Sequence, residues 1–422
     1  MRLTDKAILL SLPLISISAE IIKSFHELSK VMAVRNYLCL TLVIIVLFRH
    51  FIKVLTFNTA LVILSIYLIV ELLVQDATID SYTVWITVFE SKLMLPLAFA
   101  LLSEEKDMER VYTSIFFTGV LFAVFIVIFL VFKIGENQYG GTDGFTAGSF
   151  KFSRIYTGSF VLLSLPLIWM YSRKKFIRQL IPALVLITLA ILVLSTRRTA
   201  LIIVITGISV FTAYFFHRFS KILLALVGLA LVLTVSFPLY ESILFKQLEK
   251  RQHVFIEQKG FDLEQETRFE ESLAVWRERI QNTNLTTTLF GARLFDSAGN
   301  YDEGIHGERP LHLDINLMLH GSGIVGLLLF ILFYAEWFKT FLSVRTKILT
   351  DEDRVREATF VSVFLSLILL AFSGGMAAVT HNMIASLVAG SCLAGMAAAK
   401  NNRTTPNLSY RQNNFLFTLK KL

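Results

Sequence analysis

Charged residues are scarce in this sequence of 422 residues: Asp, Glu, Lys and Arg make up 17% of it, against roughly 25% in soluble globular domains. Cysteine is almost absent, and the two that occur, Cys39 and Cys392, lie in apolar runs. These shortages exclude a disulfide-stapled secreted module, a disordered chain, a soluble nucleic-acid-binding domain and a cysteine-based metal site.

Apolar residues take the place of the missing charge. Hydrophobic residues make up 55% of the chain, and 37 residues are Phe. This composition predicts an all-α membrane protein that crosses the bilayer several times. The net charge of +8 then indicates which loops stay in the cytoplasm, not binding to nucleic acid.

Twelve segments are long and apolar enough to cross a hydrocarbon core about 30 Å thick. They lie near 7–23, 31–48, 54–74, 85–102, 111–132, 155–171, 178–195, 199–216, 221–239, 314–338, 357–373 and 380–399. The chain therefore divides into nine spans within 1–239, a polar extramembrane segment over 240–313, three more spans within 314–399 and a tail over 400–422.

The basic residues predict the orientation of these spans. More than half of the 40 Lys and Arg residues fall on the side that carries both termini, whereas the opposite short loops 75–84 and 374–380 contain none. The positive-inside rule therefore places both termini in the cytoplasm. Five charged residues fall inside spans but near their ends, where their head groups could reach the interface: Glu20, Arg35, Glu71, Lys92 and Glu336.

Arg197 and Arg198 break the topological pattern, because they occupy a short turn on the side that otherwise lacks arginine. A guanidinium group binds two phosphate oxygens at once, so the pair favours a bound phosphate. The alternatives are that the pair caps the carbonyl groups of a helix end or contacts lipid head groups.

The 240–313 segment contains one helical pattern and one candidate histidine. Phe269, Leu273, Trp276 and Ile280 form an apolar stripe, which predicts an amphipathic helix on the membrane or at the bundle mouth. Arg268 lies at its start and on its own would be a solvated side chain.

His312 follows Pro310 closely, which predicts that it lies in the first turn of the next span. A helix N-terminus disfavours imidazolium, so His312 could act as a general base. Asp314 could orient its ring or cap the helix. A lone histidine is, however, more often a structural residue, and a zinc site from His306, His312 and Asp314 has no standard spacing.

Three sequence stretches resemble one known family. LSTRRTALI is similar to the Ser/Thr-Arg-x-small-apolar motif of the O-antigen ligase and polymerase superfamily, ETRFEESLAVW resembles its loop helix, and PLHLDINLMLHGSGIVGLLLF resembles its His-to-Gly-x-x-Gly signature. Arg198 matches the first motif arginine, with Arg197 one position away, Arg268 matches the second, and His312 matches the histidine. Leu313 departs from the Asn that many ligases carry there.

The resemblance implies a GT-C-like fold and a glycosyltransferase that needs no metal or cofactor. Members of the ligase branch join O-antigen polysaccharide, delivered on undecaprenyl diphosphate, to lipid A-core at the periplasmic face of the Gram-negative inner membrane. By this resemblance, Arg198 and Arg268, with Arg197 nearby, would hold the diphosphate, and His312, steadied by Asp314, would take a proton from the acceptor. An O-antigen polymerase, a protein O-oligosaccharyltransferase and, outside the class, an anionic-lipid transporter are the alternatives.

Overall fold

The computed structural model describes residues 3–26, 29–102, 104–135, 145–150, 152–216, 267–281, 284–301, 311–345, 350–376 and 378–404, with short pieces between 227 and 249. Helices dominate this part of the chain, and no β-strand occurs in it. Eight of its helices are long and apolar enough to cross a membrane. The prediction of an all-helical membrane-embedded protein is confirmed.

The helices are numbered here in chain order. They are α1 (Leu3–His26), α2 (Ser29–Phe57), α3 (Thr59–Val74), α4 (Ile79–Leu101), α5 (Glu105–Val131), α6 (Tyr156–Tyr171), α7 (Lys175–Leu194), α8 (Arg198–Phe216), α9 (Thr267–Ile280), α10 (Leu285–Phe290), α11 (Asp314–Val344), α12 (Asp351–Ala371) and α13 (Val379–Thr404).

Each predicted span except the ninth coincides with one of these helices. The ninth, 221–239, lies mostly outside the described residues. Helices α3 and α6 are apolar but have only 16 residues each, and α12 carries three acidic residues in its first turn. The count of twelve spans therefore stays a prediction.

Helix starts are set by side chains that satisfy free backbone N–H groups. The Asn58 side chain accepts a hydrogen bond from the Leu61 N–H at 2.9 Å at the start of α3. Before α12, the Thr350 hydroxyl accepts from the Asp353 N–H at 3.2 Å, and Asp353 accepts from the Thr350 N–H at 3.2 Å. Reciprocal capping of this kind fixes where a helix begins.

Small residues allow the central helices to approach each other closely. A Cβ atom on Gly390 of α13 would lie 2.4 Å from the Leu95 carbonyl oxygen of α4 and 2.7 Å from the Ala98 Cβ. Helices in lipid associate through such close van der Waals packing, because the surrounding acyl chains are as apolar as the side chains. Helices α4 and α13 are accordingly the most buried of the candidate spans.

Contacts at one end of the bundle show that α8 and α12 run antiparallel. The guanidinium of Arg345, just after α11, lies 5.6 Å from the ring centre of Tyr214, near the end of α8. Arg345 also forms an ion pair with Glu357, near the start of α12. The end of α8 therefore meets the start of α12, and these two helices pack side by side.

The opposite end of the bundle carries the residues before α11, the segment after α12, and the starts of α6, α8 and α13. The Ser159 hydroxyl of α6 donates to the Ala200 carbonyl of α8 at 3.1 Å, and the rings of Tyr156 and His381 join α6 to α13. Arg198 and His312 thus lie at the same end of the molecule.

The prediction that charged residues inside spans reach the interface is wrong for four of the five, Glu20, Arg35, Glu71 and Lys92, which are buried. Glu20 lies 3.8 Å from Arg35 and 3.1 Å from Arg154. The Lys92 ammonium donates to the Asn382 side chain at 3.0 Å. A charge that has such partners no longer needs to reach water, so these groups tie helices together in the interior.

Candidate active site

The predicted turn between α7 and α8 is present and tight. Helix α7 ends at Leu194, and α8 begins at Arg198. Thr196 between them has a φ of +50°, which a β-branched residue rarely adopts. Such strain persists only where the surroundings enforce it and is often found at functional sites. The turn leaves Arg198 exposed and Arg197 half-buried.

His312 does not lie in the first turn of α11, so that prediction is wrong. Leu313 has an extended backbone with φ −84° and ψ 130°, and the helix begins at Asp314. The Leu313 carbonyl accepts the first helical hydrogen bond, from the Leu317 N–H at 2.9 Å. Pro310 lies outside the described residues. His312 therefore belongs to the extended residues that lead into the helix.

Glu271 of α9 is the acidic partner of His312. Its Oε1 lies 3.3 Å from His312 Nδ1, and its Oε2 accepts a hydrogen bond from the His312 backbone N–H at 3.4 Å. Glu271 is fully buried, whereas 41% of the His312 side chain is exposed. One carboxylate thus holds both the ring and the backbone of this residue, and it leaves part of the imidazole open to a ligand.

Asp314 does not orient the imidazole as predicted. Its Oδ1 accepts hydrogen bonds from the backbone N–H groups of Gly375 and Met376, both at 3.0 Å. It also interacts electrostatically with Lys92. Asp314 therefore fixes the segment after α12 against the start of α11, and the carboxylate that contacts the imidazole is that of Glu271.

Gly374 lies in the segment after α12 and packs directly against the backbone of His312. Its φ is +82°, and a Cβ atom built on it would lie 1.6 Å from the His312 carbonyl oxygen. No other residue type fits this contact, because every side chain begins with a Cβ atom. The His312 backbone is thus held from two sides, by Glu271 and by Gly374.

Helix α9 is present as predicted. The predicted stripe leaves Leu273 and Trp276 exposed, at 38% and 51%. The face that packs on α11 carries Glu271, Val275 and Arg279. Its polar groups are buried because they find partners on α11 and in the residues that lead into it, which the periodicity of apolar residues does not reveal.

Arg268 lies one turn before Glu271 in the same helix, and its side chain is outside the described part of the structure. A spacing of three positions places residues on the same helix face. The backbone of Arg268 is therefore close to the part of α9 that holds His312.

Helix α9 and the loop after α10 each donate a hydrogen bond to the middle of α11. The Arg279 side chain donates to the His320 carbonyl at 3.0 Å, and the Ala292 N–H donates to the same oxygen at 3.0 Å. Burial lowers the pKa of Arg279, and neighbouring Glu278 opposes this shift. Gly323 interrupts α11 with a φ of +63°, where a Cβ atom would lie 2.3 Å from the Leu289 carbonyl oxygen.

No protein-family model matches the chain, and no curated protein proves similar to it. Within the described residues, no group of three or more His, Cys, Asp or Glu side chains is placed to hold a metal ion. His306, one member of the zinc site considered above, lies outside them.

The site that emerges is a half-exposed imidazole on a buried carboxylate, at the end of the bundle that also carries the arginine turn. Such an imidazole can accept a proton from a bound hydroxyl group, and arginine side chains can bind a phosphate. Sequence reasoning missed Glu271 and Gly374. The i, i+3 spacing of Arg268 and Glu271 was the one available signal for Glu271.

Proposed function

We propose that this protein is a glycosyltransferase of the O-antigen ligase type. It would transfer O-antigen polysaccharide from undecaprenyl diphosphate to a hydroxyl group of lipid A-core. The twelve-span topology with cytoplasmic termini, the GT-C-like fold, and the location in a Gram-negative inner membrane with a periplasmic site belong to the same proposal. The observation that carries it is the His312–Glu271 pair at the end of the bundle where Arg198 lies.

In the proposed reaction, His312 is the general base. The acceptor hydroxyl oxygen attacks C1 of the first donor sugar as its proton passes to the imidazole. The bond between C1 and the diphosphate oxygen breaks, and undecaprenyl diphosphate leaves with the electron pair. A single displacement of this kind inverts the configuration at C1. Glu271 favours the proton on Nδ1, which directs the free electron pair of Nε2 toward the acceptor, and it stabilises the imidazolium that forms.

The diphosphate would lie against the arginine turn. Arg198 is exposed at the first residue of α8, where the backbone N–H groups of the first turn also favour an anion. Arg197 and Arg268 would add positive charge from the turn and from α9. Fixed cations that face the developing negative charge of a leaving group are an effective way to lower its barrier without a metal.

Deletion of the gene in its smooth Gram-negative host tests this proposal. We expect full-length polymer to accumulate on undecaprenyl diphosphate while lipopolysaccharide loses its O-antigen. The His312→Ala variant, expressed at the wild-type level, should fail to restore transfer. Lipid-linked single repeats that fail to polymerise would instead identify a polymerase, and normal lipopolysaccharide would contradict both activities.

A further inference from the structure

A second candidate site lies at the end of the bundle opposite His312. The starts of α1 and α5 and the turn between α6 and α7 line an open cavity there of about 630 Å³. Its rim carries one acidic side chain, Glu109, and is otherwise basic, with Lys106, Arg110, Arg173 and Lys174. Nothing in the proposed transfer reaction uses this cavity.

Three of the four rim cations have no acidic partner among the described residues. Arg173 is engaged, because it lies 2.9 Å from Glu105 and 3.7 Å from Glu109. Lys106, Arg110 and Lys174 are exposed, and no ion pair joins them to another described residue. Like charges around one cavity repel each other, and a bound anion would relieve that repulsion.

The wall behind this rim is apolar. Leu10 and Leu14 of α1 and Phe117 of α5 line the cavity. Phe117 follows Arg110 by seven residues, which corresponds to about 10 Å along a helix. An inorganic anion would gain nothing from such a wall, whereas the acyl chains of a lipid would cover it.

We propose that this cavity binds an anionic phospholipid, with the phosphate among Lys106, Arg110 and Lys174 and an acyl chain along Leu10, Leu14 and Phe117. Basic pockets between membrane helices select anionic head groups in this way. The ligand class is a phosphatidylglycerol-type lipid, and the site is distinct from the one proposed for the undecaprenyl diphosphate donor.

Native mass spectrometry of the full-length protein, titrated with phosphatidylglycerol or phosphatidylethanolamine, tests this proposal. We expect phosphatidylglycerol to bind at least tenfold more tightly. The double variant Lys106→Gln, Lys174→Gln should weaken its binding by roughly 25-fold, at about fivefold for each cation removed. The matched variant Lys53→Gln, Lys339→Gln removes two exposed lysines elsewhere and should bind as the wild type does. Equal losses in both variants, or no preference for the anionic lipid, would overturn the proposal.

A further variant separates a lipid from a free anion. Ser11 lines the apolar part of the cavity, so Ser11→Trp should fill the space for the acyl chain and abolish lipid binding while the rim cations stay in place. Excess inorganic phosphate should not displace the lipid from the wild-type protein. Displacement by phosphate, or unchanged lipid binding by Ser11→Trp, would mean that the cavity does not bind a phospholipid.

Discussion

At the scale of single residues, the central feature is the contact between a buried carboxylate and a half-exposed imidazole. Glu271 reaches His312 from a helix 41 positions earlier in the sequence. A carboxylate beside Nδ1 fixes the ring orientation and the tautomer that presents Nε2 as a base. This is the task of the carboxylate in catalytic triads.

The variant Glu271→Gln tests this assignment. The amide can donate a hydrogen bond to Nδ1, which would place the ring proton on Nε2 and block it as a base. We expect kcat for sugar transfer to fall by one to two orders of magnitude with little change in KM. Glu270→Gln, which alters the adjacent residue, is the control and should keep near-normal kinetics. Equal kcat values for the two variants would show that Glu271 does not assist His312 in the reaction.

Gly374 allows a second test at this scale. Gly374→Ala would place a Cβ atom 1.6 Å from the His312 carbonyl oxygen, so the His312 backbone must shift. A displacement of about 1 Å at a catalytic group can cost about 100-fold in rate, and we expect a loss of that size in a transfer assay.

Gly375→Ala is the matched control for that variant. The atoms nearest to its added Cβ belong to the flexible Leu370 side chain, the closest at 3.0 Å, so transfer should stay within a few fold of the wild-type rate. If Gly374→Ala proved as active as this control, His312 would not need its observed position.

At the scale of elements, the apolar stripe of α9 did not identify the face of that helix that packs on α11. In water, an exposed Leu273 and Trp276 would cost free energy, so periodicity would turn them inward. In α9 the contacts of Glu271 and Arg279 decide which face is buried, and Leu273 and Trp276 stay exposed. Phe269 and Ile280 complete the same predicted stripe.

Arg279→Ala should destabilise the packing of α9 on α11. It removes a buried side chain that donates to the His320 carbonyl at 3.0 Å, and a lost hydrogen bond from a charged donor costs about 2 kcal/mol. We expect a lower Tm in detergent and faster proteolysis of the segment 281–301. Arg277→Ala, on the exposed face of α9, should change neither. A Tm for Arg279→Ala equal to that of Arg277→Ala would contradict the bracing role of this contact.

At the scale of the whole molecule, the length and composition of the apolar runs in the sequence were enough to predict most of the helices. Eleven predicted spans coincide with helices, because an apolar run of about 20 residues has few other stable structures in lipid. The start of α11 was misplaced, since Leu313 is extended. The partners of His312 were not predictable, because residues 271 and 374 meet it only through tertiary packing.

The sequence was enough to name most of the candidate site residues but not the contacts between them. The predicted topology of spans has Arg198 and the residues before α11 on one side, and the helix contacts place them at the same end of the bundle. Asp314 was assigned to the ring because it is near in sequence, yet it bonds to the backbone at Gly375. Nearness along the chain is a poor guide where a helix start separates two residues.

The most direct measurement is transfer by the purified protein in liposomes, with lipid-linked O-antigen and lipid A-core as the only substrates. The wild-type protein should form O-antigen-bearing lipopolysaccharide without added metal or cofactor, and His312→Ala, inserted and folded to the same extent, should form at most about one-hundredth as much. Transfer by His312→Ala at the wild-type rate would contradict the central claim that this imidazole is the base.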